Sequence, residues 1–360
     1  MPEDLQWTTE ALASRGLLDF AFQNLNLNAP LGRDAYGRVV YDSIQTNGLV
    51  KSTRRSGFKE VIDLVNVSGA HSYQVTTKLE SARRAGVSGS ASYTYSRAWD
   101  AQTPTRINLT GTLLWASARV LSGRDDDLRA TTSSDEIRHR VIVVGNFEAP
   151  WRAARTELSL YYVGESGRPF TYTAYGTGGR GDLNADGSNM NDPIYIPRNA
   201  LDTLEIKFSG DSPGADTSAA ARAGREGAQR RAFEDFIART PCLRRQRGQI
   251  MARNSCREPW TNTTIASLRQ QVTAAPRMID VQLDVFNVLN LIDRQWGLRR
   301  EVSADPARQT APGLLEQYLE TPGSPRSAQP IFRFDPTREA WTTDPSESGF
   351  QVQLAVRLHF

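Results

Sequence analysis

The stretch FQVQLAVRLHF, residues 350–360, carries the clearest secondary-structure pattern of the chain. Read with a period of two, its large apolar side chains fall on one face and its polar side chains, together with Ala355, fall on the other. The apolar face holds Val352, Leu354, Val356, Leu358 and Phe360, and the polar face holds Gln351, Gln353, Arg357 and His359. The stretch is therefore predicted to be a β-strand with one face out of water. Alternation alone leaves two environments open for that face, the core of a soluble sandwich or a lipid bilayer.

The final aromatic residue favours the bilayer. A strand that is apolar outward and polar inward, and that ends on an aromatic residue, resembles the closing strand of a bacterial outer-membrane β-barrel. In such a barrel, lipid covers the outer face and water wets the lumen. We therefore expect the outer-membrane assembly machinery to recognise this strand, through Leu354, Val356, Leu358 and Phe360.

The composition agrees with a membrane barrel. The 360 residues are 39% hydrophobic and contain no run of 18 apolar residues, which excludes a transmembrane helix. Barrel strands alternate and barrel loops are polar, so average hydropathy does not reveal a membrane face. The net charge of +3 is too small for a dedicated nucleic-acid binder. Nucleic acid is therefore not expected as a partner.

Strand-like segments bounded by turn residues recur along the chain. Two weaker candidates lie at 16–22 and 37–43, and Gly69 and Ala70 are predicted to form a hairpin turn. The eight predicted strands cover residues 58–68, 71–81, 86–98, 139–150, 154–172, 263–272, 278–290 and a last strand that begins near Gly349.

The connections between these strands alternate in length. Tight turns are predicted at residues 82–85, 151–153 and 273–277, and long connections rich in Gly, Pro and Asp at 99–138, 173–262 and 291–348. A compact soluble domain avoids loops of that size. Outer-membrane barrels have short periplasmic turns and long extracellular loops. The predicted fold class is therefore all-β, an antiparallel membrane β-barrel with long extracellular loops.

Aromatic residues cluster near the predicted strand ends. This placement is typical of the aromatic girdles at the two membrane interfaces, although aromatic cross-strand packing in a soluble sheet is the alternative. The residues are Tyr93, Tyr95, Trp99, Trp151, Tyr161, Tyr162 and Phe170.

Several longer strings are similar to one known family. YYVGESGRPFTYTAYG, GDLNADGSNMNDPIYIP, FIARTPCLRRQRGQIMARNSCREPW and VQLDVFNVLNLIDRQWG resemble the late barrel of TonB-dependent outer-membrane receptors, particularly the Oar-like group. The resemblance runs from about residue 36 to the end. It implies a 22-stranded barrel around an N-terminal plug, energised by an inner-membrane complex that pulls on a plug-side segment.

The resemblance also implies that this chain is the C-terminal half of such a barrel. No plug, TonB-contacting segment or signal peptide is visible before residue 36, and the predicted strands supply about 8–10 of 22. We therefore expect 1–35 to be a strand or loop of a truncated parent and 36–360 to be the C-terminal portion of the barrel. The TonB complex would be reached only through the missing plug region.

The sequence contains one candidate disulfide and one candidate calcium loop. The spacing of Cys242 and Cys256 suits a disulfide in an oxidising compartment, with two unpaired buried thiols as the alternative. The motif DLNADG places Asp182, Asn184 and Asp186 at alternate positions, as in the first half of a calcium loop. The glutamate of a complete loop is missing, so a ligand-free turn of Asp and Asn residues is the competing interpretation.

The stretch from Arg222 to Arg257 is rich in arginine. If it lies outside the membrane, it is expected to contact lipopolysaccharide phosphates or an anionic ligand, because the guanidinium fork matches phosphate geometry. The alternative is a solvated helix over AAARAGREGAQRRAFEDFI. In the string FNVLN, Asn287 and Asn290 are predicted to be polar strand residues that face inward.

The function expected from the sequence is that of a transporter component. No catalytic motif of a hydrolase, metalloprotease or nucleotide-binding enzyme occurs, so enzyme activity is not expected. The first hypothesis is the C-terminal part of a TonB-dependent importer of a peptide or glycan. The second is a surface adhesion protein of the same architecture without transport. A secreted soluble β-domain is the third.

Overall fold

The computed structural model describes most of the chain. The described residues are 5–42, 54–58, 60–102, 127–149, 151, 154–176, 180–189, 191–212, 214–274, 277–302, 312–318, 329–337 and 339–359. The predicted assembly residue Phe360 lies outside them.

Short and long strands are interspersed along the described chain. In chain order the strands are β1 (Leu5–Arg15), β2 (Asp19–Asn24), β3 (Gly32–Arg33), β4 (Val39–Val40), β5 (Ile62–Val67), β6 (His71–Arg84), β7 (Val87–Asp100), β8 (Thr131–Thr132), β9 (His139–Ala149), β10 (Ala154–Glu165), β11 (Pro169–Phe170), β12 (Thr173–Tyr175), β13 (Tyr195–Ile196), β14 (Lys207–Phe208), β15 (Gln249–Ile250), β16 (Cys256–Arg257), β17 (Thr261–Ala274), β18 (Arg277–Phe286), β19 (Arg300–Val302), β20 (Gly313–Tyr318), β21 (Ile331–Arg333), β22 (Trp341–Thr343) and β23 (Gln351–His359). The described helices are α1 (Ala219–Arg239), α2 (Pro241–Arg244), α3 (Val288–Ile292) and α4 (Pro345–Ser348). None of them is both long enough and apolar enough to cross a membrane.

Eight long strands build one antiparallel sheet. Their order is β1-β6-β7-β9-β10-β17-β18-β23, and the short β8 adds to β7. Each strand therefore pairs with the long strands next to it in the chain. Within the described residues, β1 and β23 form the two edges of this sheet. The predicted all-β, antiparallel architecture is confirmed.

Short and long connections alternate along the whole sheet. The short ones span residues 85–86, 150–153 and 275–276, and the long ones span 16–70, 101–138, 166–260 and 287–350. In the turn between β6 and β7, Ala85 and Gly86 have positive φ angles of 51° and 82°. Such a two-residue turn matches the right-handed twist of the strands that it joins. All long connections consequently leave the sheet at one end.

The predicted hairpin around Gly69 and Ala70 is wrong. Residues 62–67 form β5, which pairs with β2 in a separate two-stranded sheet, while β6 pairs with β1 and β7. The sequence did not reveal β1, because its outward positions include Thr9, Ala11 and Ala13, which give weak alternation. With β1 in place, residues 16–70 become a long connection, and the alternation of connection lengths holds at this position too.

One face of the sheet is apolar and exposed. A row of apolar side chains crosses six neighbouring strands in register, formed by Val87, Phe147, Leu158, Leu268, Leu283 and Leu354. These side chains are 36–67% exposed. A soluble sheet would bury such a row against a second layer. The row therefore forms the surface that a bilayer covers, and we call this face of the sheet the lipid face.

The opposite face of the sheet is polar. Its side chains bond across strands: Arg269 Nη2 lies 2.8 Å from Asp280 Oδ2, and Ser159 Oγ lies 2.8 Å from Asn146 Oδ1. In a barrel this face lines the lumen, where water and ladders of polar side chains satisfy one another.

The hydrophobic core lies in the long connections. We call the described residues of 166–260 and 287–350 the loop domain. Its buried cluster includes Tyr172, Ile194, Phe233, Leu315 and Phe332, and the cluster contains no residue of the eight long strands. The molecule thus combines a membrane wall, stabilised by strand pairing and lipid, with a water-exposed domain stabilised by its own core.

Candidate functional site

Helix α1 organises the loop domain. The side chain of Ser218 caps its N-terminus by accepting a hydrogen bond from Ala221 N at 3.3 Å. Phe233, Phe236 and Ile237 follow helical spacing and are buried. The Phe233 ring lies 5.2 Å from the ring of Phe334, a typical distance for packed aromatic side chains. The helix is therefore fixed against β14 and the segment after β21.

The disulfide fastens the next segment to the same core. Cys242 in α2 and Cys256 in β16 are bonded to each other. The enclosed segment contributes Leu243 and Met251, which are 0% and 2% exposed, to the core. The two cysteines predicted to pair are thus brought together inside the loop domain.

The DLNADG motif forms a buried, tightly bonded turn. Asp182 accepts hydrogen bonds from Asp186 N at 3.2 Å and Gly187 N at 2.9 Å, and Asp186 Oδ1 accepts from Ser188 N at 2.7 Å. Gly187 has a φ of 91°, which favours glycine. These contacts are those of a turn in which Asp and Asn side chains bond to the following backbone. Among the described residues, no group of three or more His, Cys, Asp or Glu side chains has the arrangement of a metal site. Calcium binding at Asp182, Asn184 and Asp186 stays a prediction.

A buried ion pair joins this turn to the first long connection. Arg38 Nη1 lies 2.9 Å from Asp192 Oδ1, and both side chains are almost fully buried. The other carboxylate oxygen of Asp192 accepts from Leu183 N at 2.8 Å. Burial raises the pKa of Asp192 to about 7, although the charge of Arg38 opposes the shift. Burial and the neighbouring Asp186 and Asp192 also raise the pKa of Asp182 well above its ordinary value.

The arginine-rich stretch serves internal contacts for the most part. Arg222 pairs with Asp211 at 2.6 Å, Arg247 with Glu234 at 2.5 Å and Arg253 with Asp100 at 2.7 Å. The predicted helix over this stretch corresponds to α1. Arg231, Arg244 and Arg245 are exposed at the surface of the loop domain.

A pocket of about 340 Å³ opens between α1 and strands β12, β20 and β21. Its wall contains Tyr175, Arg225, Glu316, Arg333 and Phe334. Arg225 Nε donates to Gly210 O at 2.6 Å, and Arg333 Nη2 donates to Asp211 O at 2.7 Å. The arginines are thus held in place by backbone carbonyls, while Asp211, Glu316 and Asp335 supply the opposite charge. A pocket of this size with both charges and aromatic walls suits part of a small polar ligand.

The comparisons with known proteins agree with the architecture. The family model described as "Outer membrane beta barrel domain" matches residues 14–295. The chain belongs to this outer membrane β-barrel family. No curated protein and no solved structure matches the chain significantly. The predicted location in the bacterial outer membrane is confirmed, as is the membrane-barrel fold. The lipid face of this barrel domain therefore contacts the bilayer, and its long connections, including the loop domain, lie on the extracellular side.

The predicted assembly residues lie on the lipid face of the barrel domain. Leu354, Val356 and Leu358 of β23 are 67%, 61% and 52% exposed, and all three belong to the apolar side of the sheet. They are accessible along a strand that forms an edge of the described sheet. Recognition by the assembly machinery stays a prediction.

The prediction for Asn287 and Asn290 is wrong. Asn287 follows β18 in the left-handed conformation, with φ 53°, and its Nδ2 donates to Gly297 O and Ser348 O, each at 3.0 Å. Asn290 lies in α3, where its Nδ2 donates to Arg294 O at 3.1 Å. Asparagine tolerates the left-handed region, and its amide can bond to loop carbonyls. The FNVLN string therefore ends a strand and starts a loop.

The aromatic prediction is partly corrected. Phe170 is 7% exposed and belongs to the core of the loop domain, because β10 already ends at Glu165. Trp151 is 64% exposed within the short connection 150–153, at the periplasmic end of the sheet. Tyr95 and Trp99 lie in the extracellular half of β7, and Tyr93 lies at its middle.

Two charged residues with functional potential were missed. Asp192 was not predicted to form an ion pair, and its partner Arg38 lies 154 residues away in the chain. Glu136, which contacts three arginines, was not noted at all. Neither position carries a local motif, so the sequence offers no signal for these contacts.

Proposed function

We propose that this barrel domain is the C-terminal part of a TonB-dependent outer-membrane transporter of the Oar-like group. It contributes barrel wall and extracellular loops that contact the ligand, and it has no enzymatic role. The strings that resemble this group support the proposal. The observation that carries it is the mixed-charge pocket in the loop domain, on the side of the sheet where ligands arrive.

The pocket supports a peptide or glycan fragment as the ligand. Arg225 and Arg333 can bind a carboxylate, and Glu316 can bind an ammonium or hydroxyl group. Tyr175 and Phe334 offer flat surfaces for a sugar ring or an apolar side chain. A peptide can carry a carboxylate, an ammonium group and an apolar side chain in one molecule, so a peptide is the preferred ligand class.

The test is energised uptake by cells. Cells that carry the gene or a deletion of it are supplied with defined peptides and oligosaccharides, and depletion of each compound from the medium is measured by mass spectrometry. We expect depletion of at least one compound that requires both the gene and the proton-motive force. Glu316→Gln should slow this uptake, whereas the matched change Glu339→Gln at an exposed position outside the pocket should not. Depletion that persists after gene deletion or in the presence of a protonophore contradicts the proposal.

Adhesion without transport is the second candidate. The loop domain favours it, because a disulfide-closed domain with its own core is a stable extracellular surface. In this case the uptake experiment shows no effect of the protonophore, while gene deletion lowers attachment of cells to a surface.

A further inference from the structure

A buried carboxylate gathers three arginines where β7 and β9 reach the extracellular side. The side chain of Glu136 is 0% exposed. Its Oε2 accepts from Arg97 Nε at 3.1 Å and Ala98 N at 3.0 Å, and its Oε1 accepts from Arg138 Nη2 at 3.0 Å. Arg257 Nη2 donates to the same Oε1. We call Arg97, Arg138 and Arg257 the arginine cluster.

The cluster carries more positive than negative charge. Burial raises the pKa of Glu136, but the hydrogen bond from Ala98 N and the charges of Arg257 and Arg138 outweigh it, so the pKa lies below its ordinary value. Glu136 is therefore ionised at neutral pH, and one carboxylate faces three guanidinium groups. The neighbouring Asp135 pairs instead with Arg168, at 3.6 Å.

The guanidinium groups remain accessible. The side chains of Arg97, Arg138 and Arg257 are 24%, 30% and 21% exposed. Arg138 donates both Nε and Nη2 to Glu136, and Arg257 Nη1 also donates to the carbonyls of Glu136 and Gly167. Because a guanidinium group has five N–H donors, each arginine still keeps donors for a second acceptor. An anion with several oxygens can therefore bind beside Glu136 without displacing it.

The cluster lies beside the lipid face. Arg97 is an odd-numbered residue of β7, like Val87 and Tyr93, so its side chain leaves the sheet on the apolar side. Its guanidinium carbon lies 4.7 Å from the centre of the Trp99 ring. At about 3.3 Å per residue, Arg97 stands only about 7 Å beyond Tyr95 along the strand. Arg97 is thus at the edge of the membrane, and Arg138 and Arg257 are held next to it by Glu136.

An aromatic patch marks the membrane interface beside them. The rings of His71 and Trp99 stack with centres 4.3 Å apart, and those of His139 and Trp260 with centres 6.0 Å apart. Tyr95 lies 5.4 Å from His139. These residues come from the extracellular ends of β6, β7 and β9 and from the residue before β17. Aromatic side chains take this position at the level of lipid headgroups.

We propose that the arginine cluster binds a phosphate group of a glycolipid in the outer leaflet. The three guanidinium groups supply forked N–H donors and an excess of positive charge, which together suit the oxygens of a phosphate. The aromatic patch covers the adjoining sugar or acyl chain. The proposal rests on the outer-membrane location and is independent of transport. It assigns the lipid contact to the wall of the barrel and not to the arginine-rich helix α1.

The alternative is that Glu136 and its arginines only hold loops together. Arg257 joins the connection 166–260 to the connection 101–138, so such a role is built into the same contacts. The two roles differ in one measurable property. If the contacts are only structural, binding of the lipid does not depend on its phosphate groups.

The experiment uses detergent-solubilised, folded protein purified from outer membranes. Binding of bisphosphorylated lipid A is compared with binding of chemically dephosphorylated lipid A by native mass spectrometry. Arg97→Gln with Arg138→Gln keeps an N–H donor near Glu136 and removes two charges. Arg231→Gln with Arg245→Gln removes the same charge from exposed positions of the loop domain and is the matched control. Retained mobility of the unheated protein in gels shows that each variant is folded.

We expect the wild type to prefer the phosphorylated lipid, and the cluster variant to bind it at least about tenfold more weakly, because it loses two charge-assisted contacts. The control variant should match the wild type, and Arg97→Lys with Arg138→Lys should recover part of the affinity. Equal binding of the two lipids by the wild type overturns the proposal, as does an equal loss in the control. If the cluster variant does not fold, the single change Arg138→Gln, compared with Arg231→Gln on the same two lipids, decides instead.

Discussion

Removing the disulfide tests whether the loop domain and the barrel wall are stabilised separately. Cys242 and Cys256 are separated by 14 positions, so the bond closes a loop of about 15 residues. Closing a loop of that size removes chain entropy from the unfolded state worth about 3 kcal/mol. We expect Cys242→Ala with Cys256→Ala to lower the free energy of unfolding of the loop domain by about this amount. The strand sheet should be unaffected, because the core of the loop domain contains no residue of the eight long strands.

The assay follows the two parts separately. Proteolysis within residues 166–260 in increasing urea reports on the loop domain, and the mobility of unheated protein in gels reports on the barrel. Wild-type protein treated with a reductant is the matched control, since it keeps both sulfur atoms and lacks only the bond. It should behave like the double variant. Cleavage at the same urea concentration with and without the bond would show that the bond does not stabilise the loop domain. Loss of the barrel mobility together with the loop domain would show that the two parts are not stabilised separately.

Three further predictions concern the lipid face, the buried carboxylates and calcium. Leu354→Arg places a charge on the lipid face and should destabilise the folded barrel by about 2–4 kcal/mol. The neighbouring lumen-facing change Gln353→Arg should lower the stability of the barrel only a little. Similar losses of heat-resistant protein in both variants would contradict the assignment of faces. Because the pKa of Asp192 is raised to about 7 in the folded state, its contribution to loop-domain stability is present at low pH and is lost as pH rises toward 7 and above. The urea midpoint of the loop domain, measured from pH 5 to 8, should therefore fall with rising pH, and it should fall less in Asp192→Asn. An identical pH dependence of the two proteins would exclude this cause. If the DLNADG turn binds calcium, the ion should slow proteolysis of the loop domain at roughly 10⁻⁴ to 10⁻³ M, and Asp182→Ala should abolish that protection; equal cleavage in calcium and in chelator leaves the motif as a turn.

The wall of the barrel was largely predictable because its strands alternate. Alternation of apolar and polar residues is enough to predict β23, Gln351–His359. Seven of the eight long strands overlap predicted segments. The exception, β1, has threonine and alanine at outward positions, so its lipid face is weakly apolar in the sequence. The pairing of β5 with β2 was missed because Gly69 and Ala70 look like a hairpin turn, and local turn chemistry cannot exclude a partner 40 or so residues away.

The loop domain was much less predictable. Its strands are short, its sheets join segments far apart in the chain, and parallel pairs such as β12 with β20 leave no local pattern. The cysteine pair could be proposed because two cysteines allow a single pairing. The ion pair between Arg38 and Asp192 and the contacts of Glu136 depend on tertiary packing, and a lone charged residue in a loop looks the same whether it is solvated or buried.

The most direct test asks which side chains of β23 face the lipid. Nitroxide labels are placed one at a time at four positions of the protein in bilayers: Val352, Gln353, Leu354 and Ala355. Each label is exposed to oxygen, which partitions into lipid, and to a water-soluble nickel complex. We expect labels at Val352 and Leu354 to respond mainly to oxygen and labels at Gln353 and Ala355 to respond mainly to nickel. Equal responses at successive positions, or the opposite alternation, would contradict the claim that this sheet is the wall of an outer-membrane barrel.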